Sequence, residues 1–129
     1  MPLLPKHLVV TVVTTLATLL VAHAEESMKP LKAGIIGLDT SHVPAFTKLF
    51  NNPKADGDLA GITVTTAYPG GTDLPASANR IANFTEQVRK MGVEIVDSIP
   101  ALTAKVDVIL LESVDGRIVD RLRRAGHDV

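Results

Sequence analysis

An open parallel sheet covered by helices on both faces, an α/β/α sandwich of three layers, is the fold class this sequence predicts. Three features predict it. Short apolar or β-branched runs recur along the chain, and stretches with helical spacing of apolar residues lie between them. Glycine, proline or small polar residues close each run. Strands that alternate with helices pair in parallel, through right-handed crossovers. At 129 residues the chain has room for one domain.

The elements follow in order. Residues 8–22 are uncharged and mostly Leu, Val, Ala and Thr, preceded by Lys6 and His7. Such a run is short for a membrane span of about 20 apolar residues and fits the apolar region of a secretory signal. In Ala22-His23-Ala24 the two alanines supply the small residues of the cleavage site. The expectation is a signal peptide over 1–24, cut after Ala24, and export to the periplasm or the extracellular space. If uncleaved, the same hydrophobic helix is an anchor and the one route to a membrane. Residues 25–31 read as a polar linker, 32–116 as the α/β domain and 117–129 as a short helix with the start of a further strand.

Within the domain, Lys32, Ala33, Gly34, Ile35 and Ile36 form a short run that suits a strand buried on both faces. Thr40 or Ser41 can cap a helix over 43–50, with Pro44 in its tolerated first turn, and Asn51, Asn52 and Pro53 end it. Residues 61–68 are rich in β-branched side chains and stop at Pro69, Gly70 and Gly71, which marks a second strand. A helix over 76–91 follows, in which Ile81, Phe84, Val88 and Met91 build one apolar stripe. Gly92 stops it. Residues 93–96 are a third strand, 99–104 a short helix and 106–111 a fourth strand. Ile118, Val119, Leu122 and Ala125 then share one side of a closing helix, and Arg117, Arg121, Arg123 and Arg124 read as its solvated face.

Composition removes several functions. Thirteen basic against 14 acidic side chains give a net charge of -1, unsuited to gripping a nucleic-acid backbone. The absence of cysteine excludes a thiolate metal site and a cysteine nucleophile. His7, His23, His42 and His127 show no ligand spacing, so no metal site is expected. Glu94 and Asp107 stand at strand starts and do not form a paired-carboxylate site.

In folds of this class ligands bind outside the carboxyl ends of the strands, and the first strand-to-helix turn carries the phosphate contacts. Here that turn is Gly37, Leu38, Asp39, Thr40, Ser41 and His42. A dinucleotide turn reads G-x-G-x-x-G, and only its first glycine is present; Asp39 and His42 stand at the other two positions. The amino end of the following helix still offers N–H groups, and Thr40 and Ser41 add hydroxyls. Tyr68 ends the second strand, where an adenosine ribose would lie, while Glu112 and Ser113 end the fourth strand at the edge of the site. These nine residues, Gly37 to His42, Tyr68, Glu112 and Ser113, are the candidate ligand-binding set.

With these residues placed, the stretch 33–117 resembles the amino-terminal domain of the Gfo/Idh/MocA oxidoreductase family. The likeness rests on Gly34-Ile35-Ile36-Gly37-Leu38 at the first turn, on residues 92–98 before the short helix, and on residues 106–113 at the fourth strand. It implies a Rossmann-like half or partial domain holding NAD or NADP, in a relative of enzymes that act on a sugar or polyol. A Glu-Lys-Pro motif, whose lysine contributes to catalysis in the family, has no counterpart among the 129 residues. The expectation is a truncated oxidoreductase homologue with no catalytic residues and no turnover alone. The alternative is an exported module that binds a small anion or sugar without chemistry. A third reading is an interrupted gene product that folds poorly, whose uncovered sheet edge would promote self-association.

Overall fold

The computed structural model of the chain describes residues 29–70 and 72–126. The expected signal peptide, most of the expected linker and His127 lie outside the described residues. Four strands, β1 (Leu31–Ile36), β2 (Ile62–Tyr68), β3 (Glu94–Ile95) and β4 (Val108–Leu111), form one sheet in the order β3-β2-β1-β4. Every pairing is parallel. The helices are α1 (His42–Phe50), α2 (Pro75–Lys90), α3 (Ile99–Thr103) and α4 (Arg117–Arg124), and a 3-10 turn at Gly57–Gly61 leads into β2.

Alternation along the strands feeds two separate cores. Ala33, Ile35, Val64 and Ala67 pack with Val43 of α1 and Val88 of α2 on one face, with Val108 and Leu110 against them. Ile36 packs with Leu102 of α3 and with Ile118 and Leu122 of α4 on the other, joined by Tyr68, Ile109 and Leu111. Successive side chains of a strand point to opposite faces, so a strand buried on both reads as a continuous apolar run. That is why β1 and β4 were legible. β2 departs from strict alternation. Its partners step from Ala33–Val64 to Gly34–Thr66, leaving Thr65 as an extra residue, and this bulge lets Val64 and Ala67 face the same core.

Several local contacts hold the ends of the sheet. β3 reaches only Thr66 and Ala67, so the first half of β2 has no strand on that side. Asn51, just past α1, fills the gap at one point. Its Nδ2 donates to the carbonyl of Val64 at 2.8 Å, and its Oδ1 accepts from the Val64 N–H at 2.8 Å. At the opposite edge Asp107 joins β1 to the approach of β4, its N–H donating to the Lys32 carbonyl and its carboxylate accepting from the Lys32 N–H. Glu94 pairs with Lys105 on the surface. Gly34 allows α3 onto the sheet, since a Cβ there would lie 2.7 Å from the Leu102 side chain.

The structure corrects some expected details. Leu31 belongs to β1, paired with Ile62, and not to a linker. α1 begins at His42, and Ser41 makes no side-chain capping bond; Ser98 does cap α3, accepting from the Ala101 N–H. Met91 leaves the apolar stripe, because α2 ends at Lys90 and the side chain is 38% exposed. Ala125 falls beyond α4 and is exposed as well. Among the described residues β4 is an outer edge, and each of its four residues is half-buried.

Candidate functional site

The chain moves from β1 outward through β2 and β3, then returns to place β4 on the other side of β1. α1 leaves β1 toward one core and α4 leaves β4 toward the other. The carboxyl ends of β1 and β4 therefore part company, and that crest is where an open α/β sheet offers a ligand site. Gly37 to His42 and Glu112 to Arg117 meet there.

Gly37 has φ +87°, a conformation that side chains other than glycine disfavour. Its N–H donates to the Tyr68 carbonyl at 3.0 Å, and the Leu38 N–H donates to the Pro69 carbonyl at 2.9 Å. A Cβ on Gly37 would lie 2.6 Å from Ser113 Cβ, and one on Gly70 would lie 3.2 Å from Gly37 Cα. The glycine thus threads a slot between two neighbouring loops. Leu38 turns into the core beside Val43, and the Tyr68 side chain packs on the opposite core. Ser113 walls the slot, while its hydroxyl accepts from the Asp115 N–H at 3.1 Å.

Asp39 is 1% exposed, and its Oδ2 accepts from the Val114 N–H at 3.0 Å. It ties the first turn to the loop after β4. Ser41 and His42 are exposed, and among the described residues the N–H groups of Thr40, Ser41 and His42 have no hydrogen-bond partner. The Thr40 hydroxyl is buried without a partner as well. His42 Nδ1 stands 3.6 Å from Glu112 Oε2, and its ring leans on Phe46.

Burial pushes the Glu112 carboxyl above its ordinary pKa, with the charge of His42 opposing. Raised in the folded state, this group favours folding while protonated, and that contribution is lost as pH rises through the folded-state value. Glu112→Gln is accordingly expected to raise the melting temperature at pH 7 and to leave it unchanged near pH 3, in thermal unfolding followed by circular dichroism. A variant less stable at pH 7 would show that the pairing with His42 outweighs the burial.

Four residues outside the expected set complete the crest. Arg117 forms a fork on Asp115, Nε to Oδ1 at 2.8 Å and Nη2 to Oδ2 at 2.6 Å, and Nη2 also reaches Asp73. The Arg117 N–H donates to Asp115 Oδ1 at 3.1 Å, so Asp115 caps the start of α4. The hydrogen bonds from Arg117 hold Asp115 well below the usual carboxylate range and lower Asp73 as well, and both carboxylates raise the guanidinium further. Thr72 contributes to lowering the Asp115 carboxyl as well. Arg117 stays exposed, as expected of the arginine group, yet it is tied to two carboxylates. The spacing Asp115, Gly116, Arg117 is a capping signal, but the link to Thr72 and Asp73 leaves no local trace.

Clefts elsewhere carry less chemistry. One of about 600 Å³ lies at the carboxyl end of α1, lined by Thr47, Lys48, Asn51, Asn52, Pro53 and Met91. Comparison with protein families, curated proteins and solved structures finds no match to this chain.

Proposed function

We propose that the chain is a Rossmann-like domain of the Gfo/Idh/MocA oxidoreductase type, akin to enzymes that use NAD or NADP on a sugar or polyol, and that it turns over no substrate alone. The observation that carries this reading is the all-parallel order β3-β2-β1-β4 with a positive-φ glycine, Gly37, at the turn beside the β1/β4 divide. In dinucleotide folds that order and that glycine accompany a phosphate-binding turn.

The residues present do not fit the cofactor itself. A pyrophosphate needs bare backbone at the turn, and this turn is filled by Gly70, Ser113 and the inward carboxylate of Asp39. No hydride-transfer step is therefore assigned to any residue of the chain. The test is to incubate the protein with NAD or NADP and a panel of sugars and inositols. No reduction of the nicotinamide is expected, and clear reduction defeats the proposal.

A second reading has its own observation. The unpaired N–H groups of Thr40, Ser41 and His42, with the buried, unpartnered hydroxyl of Thr40, favour an exported module that holds one small anion or sugar. Calorimetric titration with inorganic phosphate and with monosaccharides tests it, and silence to both removes it. Export follows in both readings from the apolar leader and is tested by the amino-terminal sequence of the secreted chain, expected at Glu25. The open edge of β4 supplies a route to self-association, expected as a concentration-dependent mass in light scattering.

A further inference from the structure

We propose that the chain's own carboxylates occupy the anion donors on the β4 side of the crest, Asp39 on the N–H of Val114 and Asp115 on the N–H and guanidinium of Arg117, and close that side to the phosphates of NAD and NADP. The inference rests on the Rossmann-like reading for the location of the ligand site, and its experiment is separable from that reading.

Anions bind at the divide between β1 and β4 through backbone N–H groups and the first turn of a helix. Val114 follows β4 and Arg117 opens α4, so their N–H groups are the donors that this side of the crest offers. Both already point at carboxylates, at 3.0 and 3.1 Å. The nearby cation is engaged too, since Nε and Nη2 of Arg117 bind Asp115 and Asp73.

Charge works in the same direction. Asp39, Asp73 and Asp115 outnumber the single guanidinium of Arg117, so an arriving phosphate meets a net negative surface. Asp39 and Asp115 are 1% and 5% exposed, which leaves little solvent to screen them. The slot at Gly37 is narrow as well, since a Cβ added there would lie 2.6 Å from Ser113 Cβ and one added at Gly70 would lie 3.2 Å from Gly37 Cα. A charge-assisted bond between a carboxylate and a backbone N–H is among the stronger hydrogen bonds, so a ligand must displace these bonds before it forms its own.

The experiment follows the backbone amides of the isotope-labelled full chain by NMR during titration with NADH and with inorganic pyrophosphate, up to about 1 mM, where weak ligands still bind. The wild-type amides of Val114 and Arg117 are expected to show no saturable shift. Saturable binding of NADH overturns the closure while leaving the domain assignment standing, whereas nicotinamide reduction in the turnover assay would overturn both.

Two variants separate occupancy from repulsion. Asp39→Gly frees the Val114 N–H and is expected to gain a pyrophosphate-dependent shift there. Asp39→Asn removes the charge but keeps an acceptor on that N–H, and is expected to stay silent. A shift in both variants assigns the closure to repulsion and overturns the occupancy, as does a folded Asp39→Gly that shows none. Should Asp39→Gly lose its dispersed spectrum, Asp115→Gly serves instead, since it frees the Arg117 N–H and leaves the guanidinium Asp73 alone. A folded Asp115→Gly without a pyrophosphate shift at Arg117 overturns the proposal.

Discussion

Gly37→Ala is expected to cost about 2–5 kcal/mol of folding stability, the sum of placing a side chain at positive φ and of overpacking a filled slot. Against a total of about 5–15 kcal/mol for a domain, such a loss leaves the chain barely folded. The geometry separates the two contributions. Gly37 and Gly92 share φ +87°, yet a Cβ at Gly92 meets nothing within 4 Å, while one at Gly37 meets Ser113 Cβ at 2.6 Å and its backbone N at 2.9 Å. Gly92→Ala should therefore lose only the conformational part, about 1–2 kcal/mol. Urea unfolding of the two variants measures the difference in midpoint at constant slope. Equal losses would show that the wall formed by Ser113 gives way, and that Gly37 is needed for its backbone angle alone.

Asn51→Ala is the second large effect, expected at about 2–4 kcal/mol, because it strands both the N–H and the carbonyl of Val64. Val64 is 2% exposed, so water is poorly placed to replace the lost amide. Global unfolding reads the total, and hydrogen exchange at the Val64 amide reads the site. Unchanged exchange at Val64 in a folded variant would refute the assignment, because the amide would have found another acceptor. Asn51→Asp is a sharper probe: it keeps the acceptor, loses the donor, and sets a carboxylate against the Val64 carbonyl.

Asn51 was visible in the sequence only as a helix stop. Its side chain does more because β3 is short, and the shortness of β3 was hidden by the apolar run over 93–96. Val93 in that run is buried without being paired, and local hydrophobicity cannot tell the two apart. The bulge at Thr65 was hidden for a similar reason. A β-branched run looks alike in any register, and only its neighbour in the sheet shows where a residue is left over.

The candidate site divides along the same line. Gly37 was legible because a glycine closing an apolar strand before a helix cap has few other uses. The inward turn of Asp39 was not, since an aspartate before a helix reads equally well as a cap, a ligand or a buried staple. Among the arginines of 117–124 the sequence offers no ground for singling out Arg117 beyond its nearness to Asp115. Thr72 and Asp73 lay in a loop with no pattern to mark them.

From the sequence alone came the alternation of strands and helices, the parallel pairing it implies, and the position of the glycine turn after β1, because each is encoded within one or two turns of chain. Tertiary structure decided what that turn holds. Asp39 finds its donor, and Asp107 binds the N–H of Lys32, across 75 residues, while Arg117 reaches Asp73 across 44. Which donor a carboxylate meets at such distances is set by how the strands are ordered, and no local propensity carries that information.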